Sequence, residues 1–271
     1  MASQFPYPLS QSQFETFERD GVVHLPKVLD EEWIERGREA CEHVPAVEVR
    51  EGRVAAEYFM KLRVWENDDV FKHFCYDDKI TGIAAQLTES NKLNLLYDQM
   101  FNIAPGSGDR TVFHNDLPYW PIRGQQVVTI WLAFDKVTKE NGGMEFFRGS
   151  HKWDKQFQPV TSTGYGNDVK AFNENDGYDL SPDWESERDQ HDMVFYDLEP
   201  GDALAFSPLV VHGSYANVSK HMQRRAYAMR FTGKEVVYYD GPVWNIYITN
   251  PTLKSGDPLD SSQYPIVYDA R

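Results

Sequence analysis

Three side chains in this sequence have the types and spacing of a metal site. His114 and Asp116 stand two residues apart, and residues two apart in an extended strand point to the same face. His212 ends a second strand-like run, which begins at Gly201. Two imidazoles and one carboxylate form the facial ligand set of non-haem Fe(II) sites, which leaves the opposite coordination positions open. The pattern therefore indicates a candidate Fe(II) site at His114, Asp116 and His212.

The His-x-Asp pair alone supports this hypothesis only weakly. With 8 histidines and 23 aspartates in 271 positions, chance gives about 0.7 such pairs. A histidine taken singly is also more often a hydrogen-bonded structural residue than a metal ligand. Whether these three side chains bind a metal must therefore be judged from the sequence around them.

Those surroundings favour a metal site. Tyr119 and Trp120 closely follow the His-x-Asp pair, a Pro-Gly-Asp turn begins the run that ends at His212, and the next predicted strand begins with Arg224 and Arg225. A 2-oxoacid cosubstrate needs such an arginine, because its far carboxylate must be paired when it is buried. A guanidinium makes that pair through two parallel hydrogen bonds.

Composition and charge exclude several other classes of function. The net charge of -15 repels phosphate backbones and anionic lipid surfaces, so we expect neither nucleic-acid nor membrane partners. The apolar run Val127–Phe134 is far shorter than the roughly 20 residues of a membrane helix. The N-terminal residues MASQFPYPLSQSQF resemble no secretory signal, and the two cysteines form no CxxC or zinc pattern. These features predict a cytoplasmic protein with a small-molecule ligand, and they indicate no oligomeric state.

The periodicity of apolar residues predicts helices first and strands afterwards. Ser10 or Ser12 and then Asp30 can cap the first two helices, and two more short helices are expected before residue 90. From Lys92 the apolar residues alternate as in a strand, and further strand-like runs are separated by Gly- and Pro-containing turns. This order predicts a mainly β fold with α: a double-stranded β-helix (jelly-roll or cupin-like) core flanked by N-terminal helices.

We expect one domain over residues 1–271. Its parts are a helical prelude over about 1–90, a β core over about 91–235 and a C-terminal wrap over 236–271. The polar segment 154–191 shows no period, and so long a segment within a compact domain is typical of a lid.

The sequence resembles the phytanoyl-CoA dioxygenase family of Fe(II)- and 2-oxoglutarate-dependent oxygenases. The resemblance rests on FERDGVVHLPKVLDEEW, HND, ENGGMEFFRGSHK and EPGDALAFSPLVVHGSYANVSKHMQRRAYAMRF, of which the last two are the most specific. It implies Fe(II) as cofactor and 2-oxoglutarate and O2 as cosubstrates. The activity it implies is hydroxylation of an unactivated C–H bond in a small-molecule metabolite, with release of succinate and CO2, as in natural-product tailoring.

Carried over by position, the resemblance assigns metal ligands and cosubstrate contacts. It makes His114, Asp116 and His212 the iron ligands. The residues that it places beside the cosubstrate are Gln99, Trp131, Ser214 and Arg224.

The cosubstrate arginine has two candidates, because Arg224 and Arg225 are adjacent. Counting back from Phe231, which ends the predicted strand, matches Arg224 to the family's arginine. Period 2 then places Arg224, Ala226 and Ala228 on one face, where the small side chains leave room near the metal. Arg225 stays open as the alternative.

Asp116 also favours one reaction outcome. In related halogenases the carboxylate position is small and leaves a site for chloride, whereas an aspartate fills it here, so we expect hydroxylation or another oxygenase outcome such as desaturation. Phe113, Tyr119 and Trp120, with Tyr165 and Phe172 in the lid segment, suggest an apolar or ring-bearing substrate. Tyr119 and Trp120 could equally belong to the core.

Two other classes of protein remain open at this point. A metal-dependent cupin-like enzyme that does not use 2-oxoglutarate would not need Arg224. A non-catalytic jelly-roll binding module would use the histidines for packing and would bind no metal.

Overall fold

The structure, a computed structural model, describes residues 5–44, 58–107, 110–153, 155–159, 177–241 and 251–270. Its longer helices precede most of the strands. The α-helices are α1 (Gln11–Asp20), α2 (Glu31–His43), α3 (Asp69–Tyr76), α4 (Asp78–Thr88) and α5 (Trp184–Glu187). Short 3-10 helices span Val64–Glu66, Leu117–Tyr119, Ser150–Lys152 and Arg188–Gln190.

Strands make up most of the remaining regular structure. The longer ones are β3 (Lys92–Ile103), β5 (Val127–Ala133) and β10 (Arg224–Gly233). The shorter ones are β1 (Val22–Leu25), β2 (Tyr58–Leu62), β4 (Ile122–Arg123), β6 (Met144–Phe147), β7 (Met193–Phe195), β8 (Ala203–Phe206), β9 (His212–Ser214), β11 (Val237–Tyr238) and β12 (Ile266–Asp269).

The strands form an antiparallel jelly roll. In the seven-stranded major sheet the order is β1-β8-β5-β10-β3-β12, and β2 also pairs with β3. The minor sheet has the order β7-β6-β9, and β11 pairs with β4. All of these pairings are antiparallel. The predicted fold class, mainly β with helices placed before the core, is confirmed.

Polar side chains begin the early helices where the sequence predicts. The Ser10 side chain accepts a hydrogen bond from the Gln13 backbone, and the Gln13 side chain accepts one from the Ser10 backbone. Asp30 accepts from the Trp33 backbone N–H at the start of α2. These bonds satisfy amide donors that have no partner inside the helix.

Strands β5 and β10 are buried on both faces. Tyr227, Met229 and Phe231 pack with residues of the α-helices, whereas Ala226 and Ala228 pack with residues of the minor sheet. Alternate residues of a strand point to opposite faces, so one strand serves two apolar clusters. The major sheet is thus a middle layer, with helices on its outer face and the minor sheet across its inner face.

The segment carrying His114 and Asp116 is not the strand that the sequence predicts. His114 makes a single β-bridge to His212, and Asp116 has helical backbone angles just before the 3-10 helix Leu117–Tyr119. A strand face therefore does not bring the two side chains together. The bridge and the turn bring them together instead. Pro118, within the 3-10 helix, favours the turn over an extended strand.

The predicted lid and tail are described only in part. Residues 160–176 and 242–250, which include Tyr165 and Phe172, lie outside the described residues. In the described part of the tail, β12 joins the edge of the major sheet beside β3. No helix in the described part of the chain has the length and apolar character needed to cross a membrane.

Gly37 sets the distance between α2 and the major sheet. A Cβ at Gly37 would lie 2.3 Å from the Phe134 ring, which is fully buried. Alanine normally stabilises a helix interior by about 1 kcal/mol relative to glycine. We expect Gly37→Ala to lower the free energy of unfolding by about 1–3 kcal/mol instead, because an overpacked core is strained. Urea unfolding measures this difference.

Gly82 in α4 provides a matched control. A Cβ there would lie 3.2 Å from the ring of Phe5, near the start of the chain. Gly82→Ala should therefore change stability less than Gly37→Ala does. Equal stability of Gly37→Ala and wild type would contradict this account of the packing.

Candidate metal centre

Two backbone hydrogen bonds join the segments that carry the candidate ligands. His114 N–H donates to the His212 carbonyl at 2.9 Å, and His212 N–H donates to the His114 carbonyl at 2.8 Å. The two imidazole centroids are 4.5 Å apart. Asp116 N–H donates to the Pro208 carbonyl at 2.8 Å, which ties the third residue to the loop before β9. One ligand atom from each of His114, Asp116 and His212 lies within 4.8 Å of the others.

Gly213 allows this close approach. A Cβ at Gly213 would lie 2.9 Å from the Thr111 carbonyl oxygen and 3.0 Å from the Phe113 ring. Any larger residue after His212 would push away the segment that carries His114. The glycine in the HGS sequence is therefore a steric requirement of the site.

Hydrogen bonds orient both imidazoles for a metal. Nδ1 of His114 lies 2.9 Å from the Val112 carbonyl, and Nδ1 of His212 lies 3.0 Å from the Val210 carbonyl. A carbonyl can only accept, so in each ring Nδ1 carries the proton and Nε2 keeps its lone pair. This is how metal-binding histidines are usually held.

The protonation states also suit a cation. Burial alone would raise the pKa of the Asp116 carboxyl, but the adjacent His114, whose Nε2 lies 3.4 Å from Asp116 Oδ1, and the nearby His212 and Arg230 lower it to about 2. Burial and the neighbouring His114 lower the pKa of His212 to about 4. Asp116 is therefore ionised and His212 neutral at neutral pH. No group among the described residues hydrogen-bonds to the buried Asp116 Oδ2, so the donor set fits a divalent metal.

The predicted cosubstrate residues lie on the inner walls of the jelly roll. Trp131 and Arg224 are 2% and 3% exposed, and the Arg224 guanidinium carbon lies 5.8 Å from the centre of the Trp131 ring. Gln99 is opposite Ala228 in the β3–β10 register. Ser214 is on β9, and its hydroxyl accepts a hydrogen bond from Thr111 N–H at 3.0 Å.

Arg225 lies on the other face of β10 and is already paired. Its Nε and one terminal nitrogen each donate to Asp135 at 2.8 Å, and its other terminal nitrogen donates to Glu42 at 3.1 Å. Arg224 is therefore the candidate of this pair that stands inside the jelly roll.

The three predicted substrate residues occupy different places. The Tyr119 ring lies 5.6 Å from the His114 ring, beside the candidate centre. Trp120 is fully buried in the apolar cluster around Tyr97, whose hydroxyl accepts its indole N–H at 2.8 Å. Phe113 packs in a separate outer cluster with Phe147, Phe157, Trp184 and Val211. Of the three, Tyr119 is the one that lies beside a candidate metal ligand, His114.

Sequence reasoning missed two polar residues on the same inner wall. Arg230 is opposite Thr129 in the β10–β5 register, and the two are 5% and 0% exposed. Period 2 from Arg224 through Ala226 and Ala228 continues to Arg230, so the pattern contained this signal. Nothing in the sequence distinguishes Thr129 from its apolar neighbours in β5.

A jelly roll with two histidines and one aspartate converging inside it defines a class of non-haem iron proteins. Residues 17–226 match the family model described as Phytanoyl-CoA dioxygenase (PhyH). This match spans more than half of the 271 residues. The chain belongs to the phytanoyl-CoA dioxygenase family of Fe(II)- and 2-oxoglutarate-dependent oxygenases.

Curated relatives carry the same family name. The peroxisomal phytanoyl-CoA dioxygenase of Homo sapiens is 23% identical over 261 residues, covering 88% of this chain and 74% of the human protein. A phytanoyl-CoA dioxygenase relative in Caenorhabditis elegans is 26% identical over 187 residues, covering 66% of this chain and 56% of the relative. The chain thus spans little more than half the length of the nematode protein.

Solved structures share the fold over nearly the whole chain. The non-heme alpha ketoglutarate dependent carbocyclase SnoK from nogalamycin biosynthesis has a TM-score of 0.76 at 21% identity, covering 98% of this chain and 99% of SnoK. The epimerase SnoN, in complex with Fe3+, alpha ketoglutarate and nogalamycin RO, has a TM-score of 0.71 at 20% identity, covering 95% and 98%.

Removing one candidate ligand tests the centre. We expect Asp116→Ala to weaken Fe(II) binding by more than the about 10- to 100-fold that loss of an outer-shell partner costs, because a direct ligand is lost. Anaerobic equilibrium dialysis measures this affinity. His43→Ala is the control, since His43 is exposed on α2 and bonds only to the Glu39 carbonyl. Unchanged Fe(II) affinity in Asp116→Ala would contradict the ligand assignment.

Proposed function

We propose that this protein is an Fe(II)- and 2-oxoglutarate-dependent oxygenase that hydroxylates an unactivated C–H bond of a small-molecule metabolite. The observation that carries the proposal is the pairing of two features inside one jelly roll. His114, Asp116 and His212 converge with their protonation states suited to a cation. Arg224 is buried on the facing sheet, and its guanidinium has the geometry to bind a carboxylate through two hydrogen bonds.

In this proposal the chain holds metal and cosubstrate through separate groups. Nε2 of each histidine and the carboxylate of Asp116 would bind Fe(II). The Arg224 guanidinium would pair with the far carboxylate of 2-oxoglutarate, and the Trp131 ring would line the space between. Ser214 and Gln99 would supply the remaining polar contacts. Fe(II) with 2-oxoglutarate and O2 supplies an oxidant that converts C–H to C–OH, with succinate and CO2 as the other products.

Apolar side chains keep water from this space. Phe206 and Phe146 lie 4.9 and 5.7 Å from the His212 ring. Ala226 and Ala228 are fully buried on the strand that carries Arg224. Methyl groups at these two positions leave room for ligands while offering no competing hydrogen bonds.

The outcome and the substrate class are further parts of the proposal. Asp116 fills the carboxylate position, which favours hydroxylation over halogenation. Tyr119 beside His114 supports a ring-bearing or apolar substrate, as in natural-product tailoring, and SnoN supports the same class because it binds nogalamycin RO. The net charge of -15 disfavours a polyanionic coenzyme A thioester. We also propose a reducing, cytoplasmic location, which the free thiols Cys41 and Cys75 support.

Two observations favour this proposal over the alternatives. A cupin-like enzyme that does not use 2-oxoglutarate has no need of a buried arginine at position 224. In a binding module whose histidines serve packing, a buried carboxylate oxygen such as Asp116 Oδ2 would need a hydrogen-bond donor, and the described residues supply none.

The test combines a spectroscopic signature with one substitution. Under anaerobic conditions, Fe(II) and 2-oxoglutarate together should give a weak visible metal-to-ligand charge-transfer band. Arg224→Gln should weaken 2-oxoglutarate binding, followed by this band, about 30-fold or more, since breaking a buried charge pair costs about 2 kcal/mol or more. Arg225→Gln is the control and should keep wild-type affinity for 2-oxoglutarate.

Each other result points to a different function. Metal binding without the band would support the cupin-like enzyme, and absence of metal binding would support the binding module. Loss of 2-oxoglutarate affinity in Arg225→Gln but not in Arg224→Gln would reverse the assignment of the arginine. Succinate release with a library of ring-bearing metabolites then identifies the substrate.

A further inference from the structure

Arg230 is a buried cation to which the described residues offer no ion-pair partner. Its side chain is 5% exposed, and its terminal nitrogens donate to the Ala228 carbonyl at 3.3 Å and to Gln99 Oε1 at 2.9 Å. The guanidinium carbon also lies 4.6 Å from the centre of the Tyr97 ring. Among the described residues, no carboxylate lies within the 4.0 Å of an ion pair to it. Buried charges in proteins are normally paired with an opposite charge.

Two polar atoms at this place have no hydrogen-bond partner within the described residues. They are Nε of Arg230 and Oγ1 of Thr129, and both atoms are buried. The two residues are direct neighbours in the β10–β5 register, and the Cβ atoms of such neighbours lie about 4.5–5.5 Å apart. A donor and a hydroxyl left unsatisfied on neighbouring residues of adjacent strands indicate a place for a ligand with acceptor atoms.

This place is on the part of the inner wall that faces the candidate metal ligands. Thr129 is also opposite Phe206, whose ring lies 4.9 Å from the His212 ring. Arg224 is six residues earlier on β10, about 20 Å along an extended strand. The two arginines therefore face opposite ends of the inner wall.

With Fe(II) and 2-oxoglutarate bound, the charged groups of the site would sum to one net positive charge. Fe(II), Arg224 and Arg230 together carry four positive charges. Asp116 and 2-oxoglutarate together carry three negative charges. A further acidic group, or a closer approach of the cosubstrate's own carboxylate, would lower the cost of burying Arg230.

We propose that Arg230 and Thr129 form a second carboxylate-binding subsite, beside the metal ligands and distinct from the one at Arg224. This inference rests on the proposed function. The carboxylate has two possible sources: the metal-end carboxylate of 2-oxoglutarate, or an acidic substrate. Arg230 binds it through Nε and a terminal nitrogen, Thr129 donates its hydroxyl hydrogen, and Gln99 holds the guanidinium in place.

Two variants test the subsite, and the second of them removes no hydrogen bond inside the protein's own core. Arg230→Gln removes the cation, and Thr129→Val replaces an unpartnered hydroxyl by a methyl group of the same size. Because Oγ1 has no partner to lose, Thr129→Val should keep or raise the melting temperature. Each variant should weaken carboxylate binding about 10-fold or more, the usual effect of losing a hydrogen bond to a charged group.

Binding is measured anaerobically on the Fe(II)-loaded protein in two arms. The first arm titrates 2-oxoglutarate and follows the charge-transfer band. The second arm holds 2-oxoglutarate at saturation and titrates benzoate, phenylacetate and the neutral benzamide, following the shift of the band and the melting temperature. Wild type must show the band, and its absence there would sink the proposed function rather than this inference.

The two arms separate the sources of the carboxylate. Weaker 2-oxoglutarate binding in both variants supports the cosubstrate as the source. Unchanged 2-oxoglutarate binding with loss of the preference for benzoate or phenylacetate over benzamide supports an acidic substrate. Wild-type behaviour of both variants in both arms overturns the subsite. If Arg230→Gln fails to fold, Thr129→Val decides by the same criteria.

Discussion

The structure depends on the pair of backbone hydrogen bonds between His114 and His212. These bonds join a turn segment to β9 at one point, at 2.9 and 2.8 Å, and they fix the distance between two imidazoles that belong to positions far apart in the chain. A single bridge of this kind leaves the residues on either side free to take other conformations. The chain at Asp116 can therefore enter the 3-10 helix Leu117–Tyr119, while the Asp116 side chain still faces the histidines. Gly213 is required because the two segments approach too closely for a side chain.

The rest of the fold supplies a rigid wall opposite this bridge. Strand β10 is held between β3 and β5 and is buried on both faces. Its outer residues anchor it to the helices, so that its inner residues are kept in place. Along that inner face follow Arg224, Ala226, Ala228 and Arg230, which gives charge at the ends and space in the middle. Strand β10 is both apolar and charged because one face packs against the helices and the other carries Arg224 and Arg230.

Much of this arrangement could be predicted from the sequence. The order of helices and strands, the helix caps and the jelly roll follow from periodicity and turn residues, and the candidate metal ligands follow from their agreement with a family pattern. Three points could not be predicted. The extended strand expected at His114 and Asp116 is a bridge and a turn, because Pro118 and the contact with β9 override local alternation. Phe113 packs with Phe147, Phe157 and Trp184, partners far along the chain that no local pattern reveals. Arg225 is distinguished from Arg224 by its hydrogen bonds to Asp135. Asp135 is 90 residues away, and no local pattern reveals this partner.

We propose that iron and 2-oxoglutarate bind between the His114–His212 bridge and this wall. The most direct measurement is an anaerobic crystal structure with Fe(II) and 2-oxoglutarate, with anomalous data at the iron edge. We predict one anomalous peak bounded by Nε2 of His114, Nε2 of His212 and the Asp116 carboxylate, with the far carboxylate of 2-oxoglutarate on Arg224. A peak elsewhere, or a cosubstrate that leaves Arg224 without contact, would contradict the account.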